Sequence, residues 1–141
     1  QLGQTWTFVR TQLPSTARLA YANTYLIHPL YGFDLDRPVA YAPTRTGVHY
    51  LHDLGRFAAP TTGEHIPDQV APLTWQQPSP ETWLANLDRM GAEYLLVGKR
   101  SISDPSISVE PPELIMARAM PQRFERIDEN SAAALFRIRR Q

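Results

Sequence analysis

The stretch from Ser79 to Val97 constrains the fold more than any other part of this chain. Ser79 offers a side-chain oxygen for a helix N-cap, Pro80 suits the first helical position, and Glu81 sets a negative charge at the positive helix end. Trp83, Leu84, Leu87 and Met90 then make one apolar stripe at helical spacing, and Gly91 closes the helix. Glu93-Tyr94-Leu95-Leu96-Val97 follows at once as a nearly continuous apolar run, the pattern of a strand covered on both faces. Helix, glycine and doubly covered strand are half of a βαβ unit, so a sheet with helices packed on it is expected.

The flanking segments extend this reading. Trp6, Val9 and Leu13 predict a short helix over 4–13, stopped by Pro14. Residues 17–22 read as a first strand and 38–42 as a second, with Pro38 tolerated at its first position. Val48, Leu51 and Leu54, three apart and followed by Gly55, predict a short helix. Residues 56–78 hold Pro60, Pro67, Pro72 and Pro78 without a clear period and read as one long irregular loop. Pro111 and Pro112 open a helix through Leu114, Ile115, Ala117 and Met120, which Pro121 stops. Phe124–Asp128 and Ala132–Arg139 read as strands joined at Glu129-Asn130-Ser131, a hairpin signal. With right-handed crossovers, the sum is a single α/β domain over 1–141. The expected form is a three-layer sandwich with a mixed, mostly parallel sheet of about five strands, ending in an antiparallel hairpin.

Composition narrows the function. The 141 residues are 43% hydrophobic and 20% charged, a globular balance. Fourteen basic residues match fourteen acidic ones, which argues against a chain-wide field for nucleic acid. The absence of cysteine excludes disulfides, thiolate zinc sites and a cysteine nucleophile. No apolar run reaches the ~18–20 residues that cross a bilayer. The chain starts at Gln1 rather than Met, as expected of a processed chain or of a piece of a larger protein.

The usual signatures of chemistry are missing. No Gly-x-Gly-x-x-Gly, Walker loop or Gly-x-Ser-x-Gly elbow occurs, so no cofactor and no catalytic residue is assigned. His49 and His52, three apart on the predicted helix and beside Asp53, could share a face and hold a metal, with His65 further on. The simpler reading is two surface histidines, and no third ligand has a convincing spacing, so no metal site is assigned. Asp34 and Asp36 beside Arg37 fit turn capping better than acid–base work. Arg137, Arg139 and Arg140 could meet phosphate, but a solubilising strand edge is the plainer reading.

The best candidate site is the segment from Asn23 to Gly32, which follows the first strand. Open α/β sheets bind ligands beyond the carboxyl ends of their strands. Tyr25, His28 and Tyr31 combine flat apolar faces with hydrogen-bonding tips, which suits sugars or other small ligands, and Asn23 joins them as a candidate binding residue. The alternative is that these aromatics plug the end of the sheet.

Four pieces taken in order carry a family resemblance. They are Ala17-Arg18-Leu19-Ala20-Tyr21 with Asn23 and Tyr31-Gly32, then Val39-Ala40-Tyr41, then Trp83-Leu84 with Gly91-Ala92-Glu93-Tyr94-Leu95-Leu96-Val97. The last is Pro111-Pro112-Glu113 leading to Pro121, Phe124 and the hairpin. Together the chain resembles the C-terminal extracytoplasmic domain of polytopic membrane glycosyltransferases that use polyprenyl-phosphate sugars, the mannosyltransferase-like and aminoarabinose-transferase-like superfamily. The resemblance runs from Trp6 to Ile138 and is weakest over 44–78. It implies a non-catalytic accessory domain on the extracytoplasmic face of the membrane, periplasmic or at the cell surface. Its implied partners are the membrane-embedded part of the same protein and a polyprenyl-phosphate sugar or glycan acceptor. In that superfamily the catalytic carboxylate lies between early membrane helices, so no catalytic residue transfers to this chain. A free-standing carbohydrate-binding module, and a small metal-assisted enzyme built on His49 and His52, are the competing readings.

Overall fold

A computed structural model describes residues 2–23, 39–44, 48–50, 64–66, 77–101 and 104–140. In chain order the elements are α1 (Leu2–Gln12), β1 (Leu19–Ala22), β2 (Val39–Tyr41), β3 (Val48–Tyr50), β4 (Glu64–Ile66), α2 (Pro80–Met90), β5 (Tyr94–Gly98), α3 (Pro112–Ala119), β6 (Phe124–Glu129) and β7 (Ala133–Ile138). No described helix is long and apolar enough to cross a membrane.

The helix at Ser79 forms for the reasons its sequence gives. Ser79 sits in extended backbone, its side chain accepts a hydrogen bond from the Thr82 amide, and Pro80 begins the helix. At the other end Gly91 adopts φ 65°, its amide donates to the Asp88 carbonyl, and the Ala92 amide donates to the Leu87 carbonyl. Those two bonds form a Schellman closure and satisfy carbonyls the helix would otherwise leave open. Two bonds tie α2 to the end of β2. The Ser79 amide donates to the Thr44 carbonyl at 2.8 Å. Buried Asn86 donates through Nδ2 to the Pro43 carbonyl, also at 2.8 Å, while its Oδ1 accepts from Arg89.

Five strands make one sheet in the order β2-β1-β5-β7-β6. β1 runs parallel to both β2 and β5, and β7 runs antiparallel to both β5 and β6. The α/β class, the five strands and the terminal hairpin are as expected, but the mostly parallel character is not. The antiparallel ladders register five residue pairs each, against three and four in the parallel ones. The cause is the placement of the hairpin: β7 inserts next to β5, so both of its neighbours are antiparallel.

Alternation along the inner strands divides the core in two. Ala20, Ala22, Leu95, Val97, Ala134, Phe136 and Ile138 cluster with Trp83 and Leu87 of α2 and with Leu114, Met116 and Ala117 of α3. The intervening Leu19, Tyr21, Leu96, Ala133 and Leu135 cluster instead with Val9 of α1 and with Leu13. In the first cluster the Trp83 ring stacks on Phe124 at 5.2 Å, and Phe124 meets Phe136 edge-on at 6.4 Å.

A second correction concerns residues 48–54. The expected helix is absent at 48–50, which form β3 and pair in parallel with β4 as a two-stranded sheet. Val48 and Tyr50 flank His49, and β-branched and aromatic residues favour extended backbone, which outweighs a three-residue spacing of apolar positions. Likewise Glu64–Ile66 form a strand inside the stretch expected to be irregular. The remaining residues of 51–76 lie outside the described residues.

Candidate functional site at the carboxyl ends of the central strands

The sheet has a topological switch point between β1 and β5. These strands are parallel neighbours, yet the chain leaves β1 toward β2 at one edge and leaves β5 toward α3, β6 and β7 at the other. Diverging connections open a crevice outside the carboxyl ends of such strands, the place where α/β sheets take up ligands. In this sheet the residues at that position are Ala22 and Asn23 after β1 and Gly98, Lys99 and Arg100 after β5.

Asn23, the first of the four expected binding residues, stands at this point. It is buried and adopts φ 55°, a left-handed conformation in which asparagine is among the few tolerated side chains. Its Nδ2 donates to the carbonyls of Gly98 at 2.9 Å and of Arg100 at 2.8 Å. Both amide hydrogens are therefore used to hold the end of β5 against the end of β1. The approach is so close that a Cβ on Gly98 would lie 2.2 Å from the Asn23 carbonyl oxygen. The structure thus assigns Asn23 the work of a latch that sets where the chain leaves β1. Tyr25, His28 and Tyr31 lie outside the described residues.

The neighbouring polar groups are tied to one another. Lys99 Nζ donates to Glu129 Oε2 at 3.0 Å and to the Asn130 carbonyl at 2.8 Å. Asn130 shapes the β6–β7 turn: its Oδ1 accepts from the amides of Ala132 and Ala133, and its Nδ2 donates to Thr5 Oγ1 of α1. Arg118 reaches Glu129 from α3 at 3.1 Å and also pairs with Glu110 at 2.9 Å. Burial alone would raise the Glu129 pKa, but the hydrogen bonds and positive charges of Lys99 and Arg118 outweigh it and hold the carboxyl below its ordinary value.

The other candidate residues fall elsewhere. His49 and His65 lie on β3 and β4 as register partners. The shared helix face that would have joined His49 to His52 is missing at 48–50, and His52 and Asp53 lie outside the described residues. Among the described residues no group of three or more histidine, aspartate and glutamate side chains is placed to hold a metal. Asp34, Asp36 and Arg37 also lie outside them. Arg137 and Arg139 are exposed and both pair with Glu125, at 3.8 and 2.9 Å, but the expected strand edge is not theirs, because β7 lies between β5 and β6. Arg140 is exposed as well.

One buried group was not singled out by the sequence reading. Glu113, in the first turn of α3, is 1% exposed, and its Oε1 has no hydrogen-bond partner. Burial pushes its carboxyl up to about 7, against a smaller lowering by its own backbone amide. The available signal was its four-residue spacing to Ala117 on the inner face of α3. Of the three apolar residues between them, Leu114 and Met116 are buried while Ile115 is 52% exposed.

Comparison with known proteins adds no assignment. No family model matches the chain, and no curated protein matches it significantly.

Proposed function

We propose that this chain is a non-catalytic accessory domain of a membrane glycosyltransferase-like protein. In this reading it sits on the extracytoplasmic face, joined to membrane-embedded helices of the same protein, and helps to hold a polyprenyl-phosphate sugar or a glycan acceptor. Its layers are those of a three-layer sandwich, with α1 on one side of the sheet and α2 and α3 on the other. The observation that carries the reading is the switch point: the segment containing Tyr25, His28 and Tyr31 begins where Asn23 ends β1. Aromatic side chains with polar tips suit the alternating apolar and hydroxyl surfaces of a sugar ring. The four sequence pieces that resemble the superfamily supply the membrane setting.

Two measurements test it. The open reading frame preceding Gln1 is expected to encode many apolar spans, and a bare start codon or a signal peptide there would remove the membrane setting. Saturation-transfer NMR with methyl glycosides and farnesyl phosphate is expected to show binding that Tyr25→Ala and Tyr31→Ala abolish. A free-standing sugar-binding module shares the second outcome and fails the first. Binding that survives both substitutions would refute the site.

A further inference from the structure

A cavity of about 330 Å³ opens between α3 and the β6–β7 hairpin. It is centred on the start of β6 and the end of β7, at the end of the sheet away from Asn23. Its volume falls in the range of small-molecule sites, roughly 300–1,000 Å³. Ala117, Pro121, Phe124 and Phe136 line it together with three cations, Arg118, Arg126 and Arg139, and one acid, Glu125.

The charges around this cavity do not cancel. Glu129 takes Lys99 and Arg118 at 3.0 and 3.1 Å, which leaves Arg126 at a loose 3.9 Å. Glu125 is shared by Arg137 and Arg139, and Glu110 serves Arg118, which already holds Glu129. Among the side chains that line the cavity, Arg118, Arg126 and Arg139 meet Glu125 alone, so cations outnumber carboxylates there. Arg126 carries the least satisfied of these charges: its side chain is 66% exposed, and in register it lies beside Phe136, an apolar wall of the cavity. A planar guanidinium next to an apolar recess matches an oxyanion attached to an apolar body.

We propose that this cavity is a binding site for small organic anions, an aromatic or compact apolar body bearing a carboxylate or a phosphate monoester. The body enters between α3 and the hairpin, and the headgroup takes Arg126, with Arg139 turning from Glu125 to share it. The site is independent of the sugar-binding reading, since it uses neither the switch point nor the segment that follows Asn23.

The test is a titration of the 141-residue chain with phenylacetate and with phenyl phosphate, followed by amide chemical shifts. Phenylacetamide, acetate and inorganic phosphate serve as controls for the apolar body alone and the charge alone. At least one of the two amphiphilic anions is expected to saturate, shift the Ala117 and Phe136 amides, and bind on the order of tenfold more tightly than every control. Which of the two does so decides between carboxylate and phosphate. Arg126→Glu is expected to weaken binding on the order of tenfold. Arg126→Gln gives a smaller loss and covers the case in which the charge reversal does not fold. Arg140→Glu, outside the cavity, should leave binding unchanged. Binding of acetate as tight as phenylacetate, equal losses in the Arg126 and Arg140 variants, or no saturable shift at Ala117 would each overturn the proposal.

Discussion

The fate of Asn23 shows how a residue of ligand-binding type becomes structural. Its side-chain amide donates to the carbonyls of Gly98 and Arg100 where Gly98 brings the strand ends together. In Asn23→Ala those carbonyls lose their donors and an alanine must hold a positive φ, so urea unfolding should show a loss of about 2–4 kcal/mol. Asn23→Gly relieves only the backbone and should fall between that variant and the parent. Gly98→Ala drives a methyl into the Asn23 carbonyl, which is backbone and cannot swing away, so its cost should exceed about 3 kcal/mol. Glu113 makes the opposite case, a carboxyl that lowers stability. Its folded pKa of about 7 lies above its ordinary 4.5, so the folded state keeps a proton that the unfolded state has released. Stability from this group is therefore complete below about pH 4.5, falls as pH rises toward 7, and is level above that. Glu113→Gln should flatten that fall in pH-dependent unfolding and gain on the order of 2–3 kcal/mol at pH 8. A parent whose stability does not decline between pH 5 and 7.5 would show that the carboxyl is solvated.

At the scale of the element, the most legible parts were those whose instructions are local. The start and stop of α2 are written in Ser79, Pro80 and Gly91, and each acts where it stands: a side-chain cap, a pre-set φ, a left-handed closure. Ser79→Ala should cost about 1 kcal/mol. Gly91→Ala should cost about 1–2 kcal/mol, because φ 65° is unfavourable to a Cβ and the added methyl would lie 3.0 Å from Arg18 Nη1. Arg18 is flexible, so the backbone term should dominate, and thermal melting of the double variant should show nearly additive losses, since the two sites close opposite ends of the helix. β3 was misread because Val48, Leu51 and Leu54 fit a helical period over too short a window, while the strand preference of Val48 and Tyr50 went unweighed. The burial of Glu113 is not legible in the sequence for a related reason. A first-turn acid is ordinary, and only the packing of α3 reveals that its inner face includes position 113 and leaves Ile115 outside.

The arrangement of the whole molecule was the least legible, because strand order is set by contacts between distant residues. The sequence shows a hairpin at Glu129-Asn130-Ser131, but which of its strands meets β5 depends on packing. β7 has buried residues on both faces and fills the interior position, whereas β6, buried only at Phe124 and carrying four charged residues, takes the edge. That edge is managed: a register shift between Arg126 and Asp128 breaks the ladder, and charged side chains flank it, both of which oppose pairing with another chain. The switch point between β1 and β5 follows from the same order and was foreseen only as a loop after the first strand. The order carries a dynamic consequence. β1, β5 and β7 are hydrogen-bonded on both sides and covered on both faces, so their amides open only with the whole sheet. Native-state hydrogen exchange should find the slowest amides at Ala20, Tyr21, Leu95–Val97, Leu135 and Phe136, with opening free energies that converge on the global value. About half of the β6 amides point away from β7 and should exchange far faster. If instead β6 exchanges as slowly as β5 at low concentration and low salt, the edge is covered. Concentration-dependent protection would then identify the cover as a second copy of this chain.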